Sequence, residues 1–211
     1  MKKYLMGMVL VAALGARFAQ TQTAATQPAS ALHASAAVQP VADVGAPAAV
    51  DLPALRGQLQ QFSDYLNRNL QAAFVDPFGL LQDVKGIYLP GYGVAFHMEA
   101  NLIVMRTLNP WDMRPYTEEE LRQTQQSKLD RIQRLKEQVS QLLLERGTEL
   151  SAIPPDQHVA VAVHLFNMPS ERTEGLPAQV VVEVTRAALL EAKARNLTAE
   201  QFRKQVTFLE F

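Results

Sequence analysis

VKGIYLPGYGVAFHMEANLIVM, residues 84–105, is the most strand-like part of the chain. Ile87, Tyr88 and Leu89 read as a short strand. Pro90 and Gly91 suit the middle of a type II turn, where glycine supplies a positive φ. From Val94 the side chains alternate cleanly. Val94, Phe96, Met98 and Ala100 fall on one side, and Ala95, His97, Glu99 and Asn101 fall on the other. A strand in an antiparallel sheet with one covered and one wet face produces this pattern. A two-residue type II loop fits strand twist poorly, so the spacing predicts a hairpin with a wider loop or a bulge.

Helical periodicity flanks this hairpin. Upstream, Leu55, Leu59, Phe62, Leu66 and Leu70 make one apolar face. Asp51 is the expected N-cap, and Pro53 suits the first turn. Residues 74–83 read as a connection, with Asp76, Pro77 and Gly79 as turn signals. Downstream, a loop with Pro110, Trp111 and Pro115 leads to a long helix over 118–146. Thr117 and Glu120 fit a capping box. Leu121, Leu129, Ile132, Leu135, Val139, Leu142 and Leu143 form its stripe, and Gly147 is the expected stop. Such a helix spans about 45 Å. Its early part, with Gln123, Gln125, Gln126, Ser127 and Lys128, reads as the solvated half.

A second hairpin follows. His158, Ala160, Ala162 and His164 alternate with Val159, Val161, Val163 and Leu165. Val180, Val182 and Val184 mark the next strand after a polar loop. Short helices follow, closed by Asn196 and capped by Thr198, and residues 206–211 read as an edge strand. The expected fold is therefore α+β: a mostly antiparallel sheet from two hairpins, packed against the long helix and shorter ones.

The first residues differ in kind. Lys2 and Lys3 precede an apolar run over 4–14, too short to span a bilayer, as in a secretory signal. Residues 1–19 are read as that signal, with Ala13-Leu14-Gly15 and Thr23-Ala24-Ala25 as alternative cleavage patterns. Residues 20–50 are rich in Ala, Gln, Thr and Pro and poor in large apolar side chains, which predicts a disordered tether. Residues 51–211 are read as a single domain. These features point to a periplasmic or secreted bacterial envelope protein with no transmembrane helix after cleavage.

Composition narrows the chemistry. The formal net charge is −1 with both signs interspersed, which argues against a nucleic-acid footprint. Cysteine is absent, so disulfides, thiolate metal sites and thiol nucleophiles are excluded. No helical HExxH, phosphate loop or G-x-S-x-G elbow occurs. One strand-borne group has metal-ligand chemistry. His97 and Glu99 share a face, and His164 with Glu183 can join them if the two hairpins are neighbours. Imidazole plus carboxylate suits a divalent ion such as Zn²⁺. The plainer reading is that these are polar residues on the wet face of a sheet. Trp111 and Tyr92 are candidates for an aromatic interaction patch.

Two function classes follow. The leading expectation is a non-enzymatic binding or assembly-support module with a protein partner in the envelope. It rests on the tether, the overlong helix and the lack of a catalytic motif; homodimerisation through 118–146 is a further reading. The alternative is a metal-dependent enzyme or metal-binding protein using His97, Glu99 and His164.

Overall fold

A computed structural model of the chain describes residues 50–73, 79–103 and 114–211. The expected signal, most of the expected tether and Trp111 lie outside the described residues. Val50, at the end of the expected tether, packs against the core.

The described chain runs α1 (Leu52–Ala73), β1 (Gly79–Leu89), β2 (Gly93–Asn101), α2 (Glu118–Arg146), a short 3-10 turn (Gly147–Glu149), β3 (His158–Leu165), β4 (Gln179–Thr185), α3 (Arg186–Ala194), α4 (Ala199–Arg203) and β5 (Thr207–Glu210). The strands form one sheet in sequence order, β1 to β5. Both expected hairpins are present as antiparallel pairs, and β5 adds to β4 antiparallel. The hairpins meet through β2 and β3, which are parallel. A parallel neighbour needs a crossover, and α2 supplies it. The fold is α+β, as the patterning implies.

One face of the sheet carries the core. Val94, Phe96, Met98 and Ala100 are fully buried, and so are Val159, Val161, Val163, Val180 and Val182. Leu55, Phe62, Leu66 and Leu70 of α1 meet them, with Ile132, Leu135, Val139 and Leu143 of α2, Leu189 of α3 and Phe202 of α4. Phe96 sits against Phe62, ring centroids 4.9 Å apart and tilted by 52°, a favourable aromatic geometry. The opposite parity, with Lys85, Ile87, Ala95, His97, Glu99 and His164, is exposed or half-exposed.

The helix signals operate as read. Asp51 Oδ1 accepts from the Ala54 amide. Thr117 and Glu120 form a reciprocal capping box, which satisfies two otherwise orphaned donors. Asn196 takes a left-handed conformation after α3, with φ 49°.

Three expectations are corrected. β1 is longer than 87–89 and reaches back to Gly79, through part of the expected connection. Register shifts between Leu80 and Gln82, and between Gln82 and Lys85, explain why. Each irregularity switches the faces, so no alternation is visible in the sequence. Gly147 is right-handed, with φ −60°, so it does not end α2 through a left-handed cap. Its role is steric: a Cβ there would lie 2.8 Å from Leu189 Cδ1 of α3. Lys128 is not solvated. Its side chain is 1% exposed and pairs with Glu171, itself 2% exposed. The Lys128 ammonium also donates to the Phe166 carbonyl at 2.9 Å.

Candidate functional site

The turn between β1 and β2 builds the first polar cluster. Tyr92 N–H donates to the Leu89 carbonyl at 3.0 Å, and Gly91 has φ 80°. The loop between the paired residues Leu89 and Gly93 is three residues long, the wider loop that strand twist requires. Gly93 follows with φ 132°, and a Cβ there would lie 2.1 Å from the His158 carbonyl oxygen. That close approach lets His158 N–H donate to the Tyr92 carbonyl at 2.8 Å. It also brings the Tyr92 ring flat onto the His158 ring, centroids 5.2 Å apart and 12° from parallel.

Glu183, opposite Ala160 on β4, completes this cluster. Its Oε1 is 2.6 Å from His158 Nδ1, although the two are not aligned for a hydrogen bond. Burial, then the nearby Glu183 charge and side-chain hydrogen bonding to Glu183, push the Tyr92 phenol up to about 12. Each cause disfavours a phenolate. Tyr92 thus emerges as a residue of a stacked, hydrogen-bonded cluster that sets the corner between the two hairpins.

His97, Glu99 and His164 do share one face. Glu99 is paired directly with His164 across β2 and β3, whereas His97 is paired with Ala162. His97 is therefore one step of the pleat away, about 7 Å along the strand. Among the described residues no group of three or more His, Asp or Glu side chains is placed to hold a metal ion. The three residues share a face without converging, and Glu183 is engaged with Tyr92 and His158 instead.

A concavity lies elsewhere, between α1 and the outer edge of β1. It has a volume of about 770 Å³. Asn67 Oδ1 accepts from the Val84 amide at 2.8 Å. A Cβ on Gly86 would lie 3.1 Å from Leu59 Cδ2. The helix and strand therefore run in opposite directions, with Leu59 over Gly86 and Asn67 over Val84. Gly86, without a side chain, lets α1 come this close. One end of the groove is apolar, lined by Leu52, Leu55, Leu59 and Tyr88; the other is polar, lined by Ser63, Asp64, Asn67 and Asp83.

The floor of the groove is a strand edge. Among the described residues β1 has β2 as its single strand neighbour. Lys85, Ile87 and Leu89 sit opposite His97, Ala95 and Gly93. The Val84 amide turns the other way, toward Asn67. The alternation along the strand then turns the N–H and C=O groups of Gly86 and Tyr88 to the outer edge as well. The sequence reading missed this groove. Its traces were Gly86 within a strand pattern and the polar residues Gln60, Asp64 and Asn67 beside the apolar face of α1.

The outer surface of α2 presents Arg122, Gln123, Gln126, Asp130, Gln133, Arg134, Glu137 and Gln141. Dimerisation through this helix would have to be carried by polar residues. Among the described residues no helix is long and apolar enough to cross a membrane. Comparison with family models, with curated proteins and with solved structures gives no match.

Proposed function

We propose that the protein is an exported, non-enzymatic binding module that takes an extended polypeptide segment as an added strand along β1. One observation carries this reading: the outer edge of β1 forms the floor of a groove whose wall is α1. Edge strands offer unpaired backbone groups, and proteins commonly blunt or cover them. Here the Asn67 side chain occupies only the Val84 amide. Gly86 and Tyr88 remain as a template for main-chain hydrogen bonds, while the helix wall can select side chains. Export is supported by the basic start and short apolar run of residues 1–14.

Selection from a displayed library of random nine-residue peptides, using the full-length protein, tests the reading. Peptides enriched on the wild type are expected to lose binding to Tyr88→Pro, which removes an outward amide but no bond to β2. Proline is tolerated at such edge positions, and circular dichroism would establish that the variant folds. Equal binding to both proteins, or no enrichment, would overturn it.

A further inference from the structure

We infer that the segment added along β1 carries an acidic residue opposite Lys85 and, at the next two alternate positions, apolar residues opposite Ile87 and Leu89. This rests on the strand-addition reading and specifies its ligand.

The template is bounded at both ends. The Val84 amide is already taken by Asn67. Pro90, the next residue of the same outward parity after Gly86 and Tyr88, has no N–H. An added strand therefore pairs along residues 85–89, and this fixes which side chains of β1 it meets.

Two of them, Gly86 and Tyr88, lie on the side of α1. Gly86 offers no side chain, and the α1 wall holds Arg56 as well as Asp64, so that side imposes no single charge. The other row does. Lys85, Ile87 and Leu89 stand opposite His97, Ala95 and Gly93, so all three share the face that the helices leave uncovered. Ile87 is 51% exposed and Leu89 41%, and Lys85 is exposed. Among the described residues Lys85 has no ion-pair partner. Glu99, the acid on the same face of β2, is paired with Gln82 instead.

Side chains directly opposite each other across a strand pair interact: opposite charges stabilise and like charges destabilise. A lysine on an edge strand discourages indiscriminate pairing, and an acid on the incoming strand turns that penalty into attraction. Two apolar side chains spaced about 7 Å apart along the same strand face would cover Ile87 and Leu89 and remove apolar surface from water.

Charge complementarity argues against a second copy as the occupant. In antiparallel self-pairing centred on Gly86, Ile87 or Tyr88, Lys85 would meet Ile87, Leu89 or Gly91 of the second copy. None of these registers supplies an acid, so the occupant is a segment of different sequence.

The test uses the full-length protein and fluorescein-labelled nonapeptides of threonine with three substituted positions. One has glutamate third and valine fifth and seventh. A second has valine third and fifth and glutamate seventh, to sample both strand directions. Fluorescence anisotropy is expected to show saturable binding of one of them. Binding should weaken about fivefold when its glutamate becomes lysine, the scale of one exposed cross-strand charge pair, and at least as much when both valines become serine. Lys85→Glu should invert the preference between the glutamate and lysine peptides. The position is exposed, so the fold should be kept, as circular dichroism would verify. If the glutamate and lysine peptides bind alike to both proteins, or the serine peptide binds as well as the valine one, with the Gly86 and Tyr88 amides shifted in NMR spectra, the inferred chemistry is wrong and strand addition stands. If no peptide binds or shifts those amides, the underlying reading fails too. Self-association of the chain that peptides cannot compete away would also overturn the inference, with a second copy as occupant.

Discussion

At Gly93 an added methyl group would sit 2.1 Å from the His158 carbonyl oxygen and 2.7 Å from its nitrogen. Both atoms belong to the backbone, so neither can swing aside. The same contact presses Tyr92 onto His158 and toward Glu183, and this cluster makes a pH-dependent prediction. The Tyr92 phenol has a folded value of about 12 against an ordinary value of 10.0. Below the ordinary value both states hold the proton, and the stabilisation is fully present. Between the two values the unfolded state releases it first and binds fewer protons, so stability falls as pH rises. Tyr65, raised by burial and by its hydrogen bond to Glu145, acts in the same direction. Thermal melts from pH 9 to 12 should therefore show a steeper loss of Tm for the wild type than for Tyr92→Phe. Parallel slopes would mean that Tyr92 is not held by Glu183 as described.

Among the elements, α2 shows how far a sequence pattern reaches. Its start was legible because Thr117 and Glu120 are local to one turn. The burial of Lys128 was not, because Glu171 and Phe166 come from beyond β3, and nothing near Lys128 announces them. A lysine among glutamines reads as solvent-facing until a distant loop covers it. Removing one member of a buried pair strands the other charge, which costs about 3–5 kcal/mol. Lys128→Met should therefore destabilise by about that much in urea titrations. Lys128→Met with Glu171→Met should recover most of the loss, since an apolar pair of similar volume leaves no stranded charge. A single variant within about 1 kcal/mol of the wild type would contradict the burial of the pair. β1 poses the complementary case. Its C-terminal end was readable from Ile87 to Leu89, while its first half was hidden by two register shifts. Alternation is a signal only where the pleat is unbroken.

For the whole molecule, the patterning of β2, β3 and β4 was enough to give the sheet, its covered face and the helices upon it. Their pairing order and the parallel joint between β2 and β3 depend on α2 crossing the sheet, which no local spacing encodes. The candidate site was least legible. His97, Glu99 and His164 share a face, as strand periodicity requires, but a shared face is not a shared point, and register separates His97 from the other two. Tyr92 was visible as an aromatic in a glycine-rich turn, without its partners. The groove needed the approach of α1 to β1, set by Gly86, Leu59 and Asn67 from separate elements. Most of the molecule thus buries one side of its sheet, while the edge at β1 keeps backbone groups available beside a helix.

The measurement closest to this claim is amide hydrogen exchange of the full-length protein, read residue by residue, with and without a saturating peptide from the nonapeptide selection. Strand addition predicts that the Gly86 and Tyr88 amides exchange rapidly in the free protein and become strongly protected in the complex. Lys85 and Ile87, already paired with β2, should change little. Unchanged exchange at Gly86 and Tyr88 with the peptide bound would contradict the account and place the binding surface elsewhere.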